Sequence, residues 1–302
     1  MFMNGKKWLM IWCLTFLIQF SLVLIFNYNI DAGGVFNSPI HDLNKFKKKF
    51  ISENTSKFYM YSKNLETYNC VLMGSSRMSV LDTVSFNKIL QKKCFNYGLG
   101  GSGILEQIKT AENLIENNNN IETIIIGLDF FGFNPYLIQN GSINSFNKNR
   151  YSNDMYVEDY FEHLFSLRSL KNSVLTVDYN FKHNSLHGNL GNIDFNQQVE
   201  NYKSNINRYS NPELRNIESV KEGINALREF TSYLEDKNID LILFTSPIHN
   251  SLIEAMKDNN IYHTYVNWKN EINGFHNIQY DFQNDSYFLN TRSLYLDPSH
   301  IK

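Results

Sequence analysis

Only three cysteines, Cys13, Cys70 and Cys94, occur in 302 residues, too few for a disulfide-stapled scaffold. A dominant sign of charge is also lacking, since 28 Lys and Arg against 30 Asp and Glu leave a net charge of −2. Such a balance carries no broad nucleic-acid footprint, and no nucleic acid is expected as a partner. Charged residues make up 19% and hydrophobic residues 42%, the proportions of an ordinary globular protein. The length suits one large domain or two small ones. Cys70 and Cys94 each lie near the start of an apolar run, which reads as a buried thiol. A disulfide between them is the alternative open outside the cytoplasm.

Polar interruptions are scarce at the N-terminus. "WLMIWCLTFLIQFSLVLIF", residues 8–26, is broken only by Thr15, Gln19 and Ser21. Nineteen residues at helical rise just cross a bilayer core. No A-x-A-like cleavage site follows in "NYNIDAGG", so residues 1–30 read as an uncleaved signal anchor, with the membrane as a partner. Lys6 and Lys7 precede the run, and residues 27–41 carry no Lys or Arg. That asymmetry predicts a single-pass protein of the cell membrane with the bulk of the chain outside the cytoplasm. Lys45, Lys47, Lys48 and Lys49 lie at the limit of the window in which such charges count, and read as a solvated helix face.

Residues 31–66 read as a juxtamembrane connector containing a helix of mixed character. From residue 67 the pattern changes. "NCVLMG" (69–74), "CFNYG" (94–98), "TIIIGLD" (123–129), "DLILFTSP" (240–247) and "HNIQYDF" (276–282) read as strands. Helical patterns over 84–91, 104–115, 219–238 and about 250–258 separate them. Strands that are continuously apolar and alternate with helices predict a parallel sheet covered on both faces. Residues 130–215 interrupt the rhythm. They are rich in Asn, Tyr, Phe and Ser, hold one clear helical stretch, "MYVEDYFEHLFSLRSLKNSVLTV", and read as an insertion able to cover a site.

Chemistry-bearing residues gather at strand ends, where open α/β sheets place their sites. "GSSR" (74–77) closes the first strand, "NYGLGG" (96–101) the second and "GLD" (127–129) the third, while "DPSH" (297–300) lies near the end of the chain. A serine, glycine N–H groups, a carboxylate and a histidine are the ingredients of nucleophilic acyl transfer. These four blocks resemble the SGNH/GDSL hydrolase-like superfamily, in its membrane-anchored bacterial branch. That branch acylates cell-surface polymers, as in teichoic-acid D-alanylation and alginate O-acetylation. The resemblance covers about residues 69–302. It implies a flavodoxin-like three-layer α/β fold with about five parallel strands in the order 2-1-3-4-5. It makes Ser76 the nucleophile, His300 the base and Asp297 its orienting carboxylate. Gly101 becomes an oxyanion donor, and Asn96, Asp129 and Arg77 become oxyanion or substrate-binding residues. A cell-surface polysaccharide or acyl donor, and a membrane-embedded acyltransferase, are the partners it implies. Neither a cofactor nor a metal is needed. His183 and His187 share metal-ligand spacing, but "KHNSLHGNL" is loop-like and has no nearby carboxylate.

The chain departs from the family pattern twice. Asp129 stands where the family has a donating Asn, and an ionised carboxylate there would repel an oxyanion. It would then bind a substrate hydroxyl or order Ser76 and Arg77. The chain also stops two residues after His300, where the family continues with a helix. The domain therefore reads as C-terminally truncated, with His300 on a frayable end. Two other functions fit parts of the pattern. A non-catalytic polysaccharide-binding scaffold would keep the fold alone. A dinucleotide-binding protein would use Gly98-x-Gly100-x-x-Gly103 as its fingerprint, with Asp129 on the ribose. Ser75 and Ser76 would also serve as helix caps. His249, after the fourth strand, is a further candidate for substrate contact.

Overall fold

The computed structural model describes residues 5–36, 38–44, 53–134, 153–185, 199, 218–297 and 299–301. The chain divides into two compact units. One comprises Met1–Lys63 with Asn149–Asn189, the other Asn64–Lys148 with Leu190–Lys302.

The elements follow in chain order. Helices α1 (Gly5–Ile30) and α2 (Glu53–Ser62) come first. The alternating part begins with β1 (Cys70–Gly74), α3 (Ser76–Ser79), α4 (Thr83–Leu90), β2 (Cys94–Asn96), α5 (Ile104–Asn117) and β3 (Thr123–Leu128). Helices α6 (Asn153–Phe165) and α7 (Leu167–Ser185) form the insertion. The alternation resumes with α8 (Glu218–Asp236), β4 (Asp240–Thr245), α9 (Asn250–Asp258), α10 (Tyr262–Asn273) and β5 (Ile278–Asp281). The chain closes with α11 (Ser286–Asn290), β6 (Tyr295–Asp297) and β7 (His300–Ile301).

In the first unit α1 is long and apolar enough to cross a membrane. It outruns the apolar stretch by four residues, to Ile30. Asp31 follows and accepts the N–H groups of Val35 and Phe36 through Oδ1 and that of Ser38 through Oδ2. One buried carboxylate thus folds the chain sharply after the helix, by taking donors that burial would otherwise leave unpaired. Among the described residues, the helical stretch of the insertion is two helices, not one. The break falls at Ser166, whose hydroxyl accepts the N–H of Ser169 as an N-cap does. His183 lies within α7 rather than in a loop, and His187 lies outside the described residues.

In the second unit five parallel strands run in the order β2-β1-β3-β4-β5, an α/β three-layer arrangement. Every residue of β1 and β3 is buried. Sheets covered on both faces select such runs, because neither side of the strand meets water. On one face Cys70, Leu72, Cys94 and Ile125 pack with Met78 of α3 and with Leu81, Phe86 and Leu90 around α4. On the other, α5 and α8 lie side by side, burying Ile104, Ile108, Ala111 and Leu114 against Val220, Ile224, Leu227 and Phe230.

Cys70 and Cys94 are not free thiols but a disulfide between β1 and β2. The two cysteines are register partners in the sheet, so the parallel pairing itself brings their Cα atoms to 4.2 Å. The bridge encloses α3 and α4, and so the whole segment that carries Ser76. A cross-link over a loop this size stabilises the fold by about 3 kcal/mol. Replacing Cys70 and Cys94 together by Ala should therefore lower the denaturant midpoint of this unit, as should reductant on the wild-type chain. Identical midpoints with and without reductant would show that the bridge contributes nothing.

Candidate active site

Three glycines at the carboxyl end of the sheet make room for one side chain. A Cβ on Gly74 would lie 2.2 Å from Met78 Cγ, one on Gly127 2.6 Å from Met78 Sδ, and one on Gly98 2.6 Å from the Ser79 nitrogen. No real Cβ fits at such distances. Met78, fully buried, fills the notch and seats the short helix α3 directly on the strand ends. All three belong to the strand-end blocks in which chemistry was expected, and Gly98 also opens the glycine fingerprint of the dinucleotide reading. Their observed role is packing. Gly101 is different. It is exposed, has φ +73° and would meet nothing with an added Cβ. Its loop is tied back to β1 by Leu99 N–H and Ser102 Oγ, both donating to the Gly74 carbonyl, at 2.8 and 3.0 Å.

Seating α3 in this way separates the roles of the two serines. Ser75 is buried and caps the helix, its Oγ accepting from Arg77 N–H at 3.4 Å. Ser76 is the first helical residue, and its Oγ lies 2.8 Å from His300 Nε2. The other ring nitrogen of His300, Nδ1, lies 2.8 Å from Asp297 Oδ2 and 3.0 Å from Oδ1. Asp297 Oδ1 also accepts the N–H groups of Ser299 and His300, at 2.8 and 3.0 Å. Burial pushes the Asp297 carboxyl up. The hydrogen bond and charge of His300 and the two backbone donors outweigh that and hold it below the ordinary value. The carboxylate is thus ionised and directed at Nδ1, the arrangement that leaves Nε2 free to accept the serine proton.

His300 does not sit on a loose end. β7 pairs with β6, Asp297 opposite His300 and Tyr295 opposite Ile301. A second clamp comes from Arg77. Its Nε donates to the Ser299 carbonyl at 3.0 Å and its Nη2 to Ser299 Oγ. Its Nη1 pairs with Asp129 Oδ1 at 3.0 Å, both side chains nearly buried. Asp129 Oδ1 accepts Gly132 N–H as well, at 3.2 Å.

These contacts revise the roles expected for Arg77 and Asn96 and select between those expected for Asp129. Arg77 is not free to meet a substrate, because its guanidinium fork is spent on Ser299 and Asp129. Asp129 is turned toward Arg77, one of the two roles expected for it, and its pairing there leaves it no part in holding a ribose. Asn96 is no oxyanion donor. Its Nδ2 donates to the carbonyls of Met78 and Leu81, at 2.7 and 2.8 Å, and its Oδ1 accepts Gly98 N–H at 2.9 Å. It braces the turn beneath the serine.

His249 lies at the same edge as Tyr295, their rings edge to face at 5.6 Å. Its Nδ1 accepts Ser251 N–H and caps α9. Burial, then the nearby charge of Arg292, lowers its pKa. Burial pushes the Tyr295 hydroxyl up to about 12, against the pull of Arg77. Sequence reading missed Ser299, buried at 2% exposure, and Met78. The only signal for Ser299 is its place beside the histidine. Among the described residues no group of His, Cys, Asp or Glu could hold a metal ion.

Arg77 and Asp129 should behave as one unit. Arg77→Gln strands a buried carboxylate, which costs about 3–5 kcal/mol. Adding Asp129→Asn should recover most of that stability in denaturant titrations, a strong non-additivity. Hydrogen exchange at the Ser299 and His300 amides should stay fast in the double variant, because Ser299 has lost its guanidinium. Additive stability changes would mean that the pair is not coupled. No protein-family model, curated protein or solved structure matches the chain, so the chemistry of the site rests on its geometry.

Proposed function

We propose that this chain is a membrane-anchored serine acyltransferase or esterase of SGNH type, acting on a cell-surface polysaccharide outside the cytoplasm. The observation that carries this reading is the unbroken chain from Ser76 Oγ through the His300 ring to Asp297. Ser76 Oγ attacks the carbonyl carbon of an ester as His300 Nε2 takes its proton. Asp297 keeps the Nδ1 proton in place and stabilises the imidazolium. The negative charge on the carbonyl oxygen falls to backbone donors. Gly101 N–H is one, on its open positive-φ turn. Ser76 N–H is the other, since the first N–H groups of a helix have no intrahelical acceptor. Collapse of the intermediate expels the alcohol, which takes the proton from Nε2 and leaves an acyl-serine. A second hydroxyl, from a sugar or from water, then gives its proton to Nε2 and removes the acyl group, restoring Ser76.

The location rests on two features. Helix α1 has the length and apolarity of a membrane span. The Cys70–Cys94 disulfide suits an oxidising compartment, since reducing cytoplasm keeps such thiols open. A polysaccharide acceptor and a membrane-embedded acyl donor both meet an anchored domain at the cell surface, and the four sequence blocks resemble a branch that uses them.

A fluorophosphonate probe should label the full chain in detergent at Ser76. Ser76→Ala should abolish the label with little change in stability, whereas Ser75→Ala, which removes only a cap, should keep it. Asp297→Asn should slow labelling by a factor on the order of 10⁴, because the wrong imidazole tautomer would face the serine. Gly101→Val, whose branched side chain opposes the φ of +73° and so displaces the N–H, should slow turnover about 100- to 1,000-fold if that N–H holds the oxyanion. A wild-type chain that resists the probe but retains polysaccharide would be a binding scaffold instead.

A further inference from the structure

Five rings of α1 and α6 form a ladder that leaves the apolar helix sideways. Trp12, Phe16 and Phe20 stack along α1, with centroids 5.9 and 6.0 Å apart. Phe165, the last residue of α6, stacks on Phe20 at 5.5 Å, and Phe161 stacks on Phe165 at 5.2 Å. The hairpin α6–α7 therefore lies against α1 with its tip toward the middle of the apolar run. Further contacts fix this direction. Asn27 Nδ2 donates to the Leu164 carbonyl at 2.9 Å, Val177 packs by Ile30 and Phe26, and Tyr160 meets Phe36 edge-on at 5.3 Å. Going from Phe36 back to Phe20, the hairpin descends from Tyr160 to its tip.

The tip is apolar and bare. Leu167 is 83% exposed and Phe161 59%, and Val157 and Phe165 extend the same surface. Water contact over such a patch is costly, and a patch of this kind marks an interaction surface. What covers it follows from where it sits. Phe20 lies six residues inside the end of the apolar run at Phe26, about 9 Å along a helix. The Phe165 ring that stacks on Phe20 reaches that depth in whatever surrounds α1, while the Leu164 backbone stays level with Asn27, just past the run.

We infer that the α6–α7 hairpin dips into the bilayer leaflet at the C-terminal end of α1, with Phe161, Phe165 and Leu167 among the acyl chains. The inference rests on α1 being the membrane anchor. The depth matches that of helices lying in a membrane interface, about 5–10 Å. Exposed Glu162, Arg168 and Lys171 flank the tip, and side chains of that length reach back to the headgroups while their stems stay in hydrocarbon. The anchor is then a wedge of three helices rather than a lone span.

The test uses the full chain with Cys13→Ser, in nanodiscs of phosphatidylcholine and phosphatidylglycerol. Leu167→Cys, Phe161→Cys, Leu14→Cys and Lys109→Cys each carry an environment-sensitive fluorophore, and brominated lipid is the quencher. Leu14 reports the anchor and Lys109, on α5, reports water. Blue-shifted emission and quenching at positions 14, 161 and 167, with position 109 unaffected, is the expected result. Quenching at 14 but not at 167 would overturn the inference and leave the anchor standing. Quenching at neither would remove both. Quenching at 167 alone would overturn the inference too, because the anchor on which it rests would be gone. Leu167 is so exposed that its replacement does not disturb packing, so it decides the matter should Phe161→Cys fold poorly.

Discussion

The guanidinium of Arg77 joins parts of the chain that lie 222 residues apart in sequence. It follows Ser76 on the same helical turn, and it holds Ser299, the residue before His300. The serine and the arginine thus leave adjacent backbone positions and reach adjacent residues of the closing hairpin. The distance from Ser76 to His300 is set by two short arms rather than by the path of the chain. Asp129, at the end of β3, neutralises the buried cation, so the clamp does not leave a charge unpaired. An Asn at that position could not do so. The carboxylate at position 129 and the arrest of the histidine are two sides of one interaction.

Beneath the clamp lies a steric condition. Met78 fills the space left by Gly74, Gly98 and Gly127, which lie at or beyond the ends of the three neighbouring strands β1, β2 and β3. Any side chain there would lift α3 off the sheet and carry Ser76 and Arg77 with it. Asn96 closes the same turn from the side, through the carbonyls of Met78 and Leu81. The Cys70–Cys94 bridge holds the opposite ends of β1 and β2. Order at the site descends from close packing at the carboxyl edge of the sheet, and polar contacts are laid over it.

Much of the architecture was legible in the residues. "CVLMG" and "TIIIGL" are apolar at every position, which only a strand buried on both faces tolerates, and they became the central strands β1 and β3. The apolar helix announced itself because nineteen nearly unbroken apolar residues at helical rise are long enough to cross a bilayer core. Ser76, Asp297 and His300 stood out because few residue types can supply a nucleophile, an orienting carboxylate and a base. The insertion was harder. A single helical stretch became two helices, because Ser166 offers a cap that periodicity does not weigh.

Local composition, then, determined the strands, their parallel sense and the apolar helix, while the strand order and the choice of Ser76, Asp297 and His300 came with the resemblance of the four short blocks. Each of the first three follows from which face of an element meets water. Tertiary structure decided what those residues touch. It paired Cys70 with Cys94 because register sets them opposite each other. It gave Ser75 the cap and Ser76 the histidine, turned Asp129 toward Arg77, and spent Asn96 on carbonyls. Apart from the Ser75 cap, which is local, none of these is encoded by a residue's neighbours in the chain. A polar side chain in a closed interior must take the donor or acceptor that folding brings within reach, and only the assembled sheet edge defines which one that is.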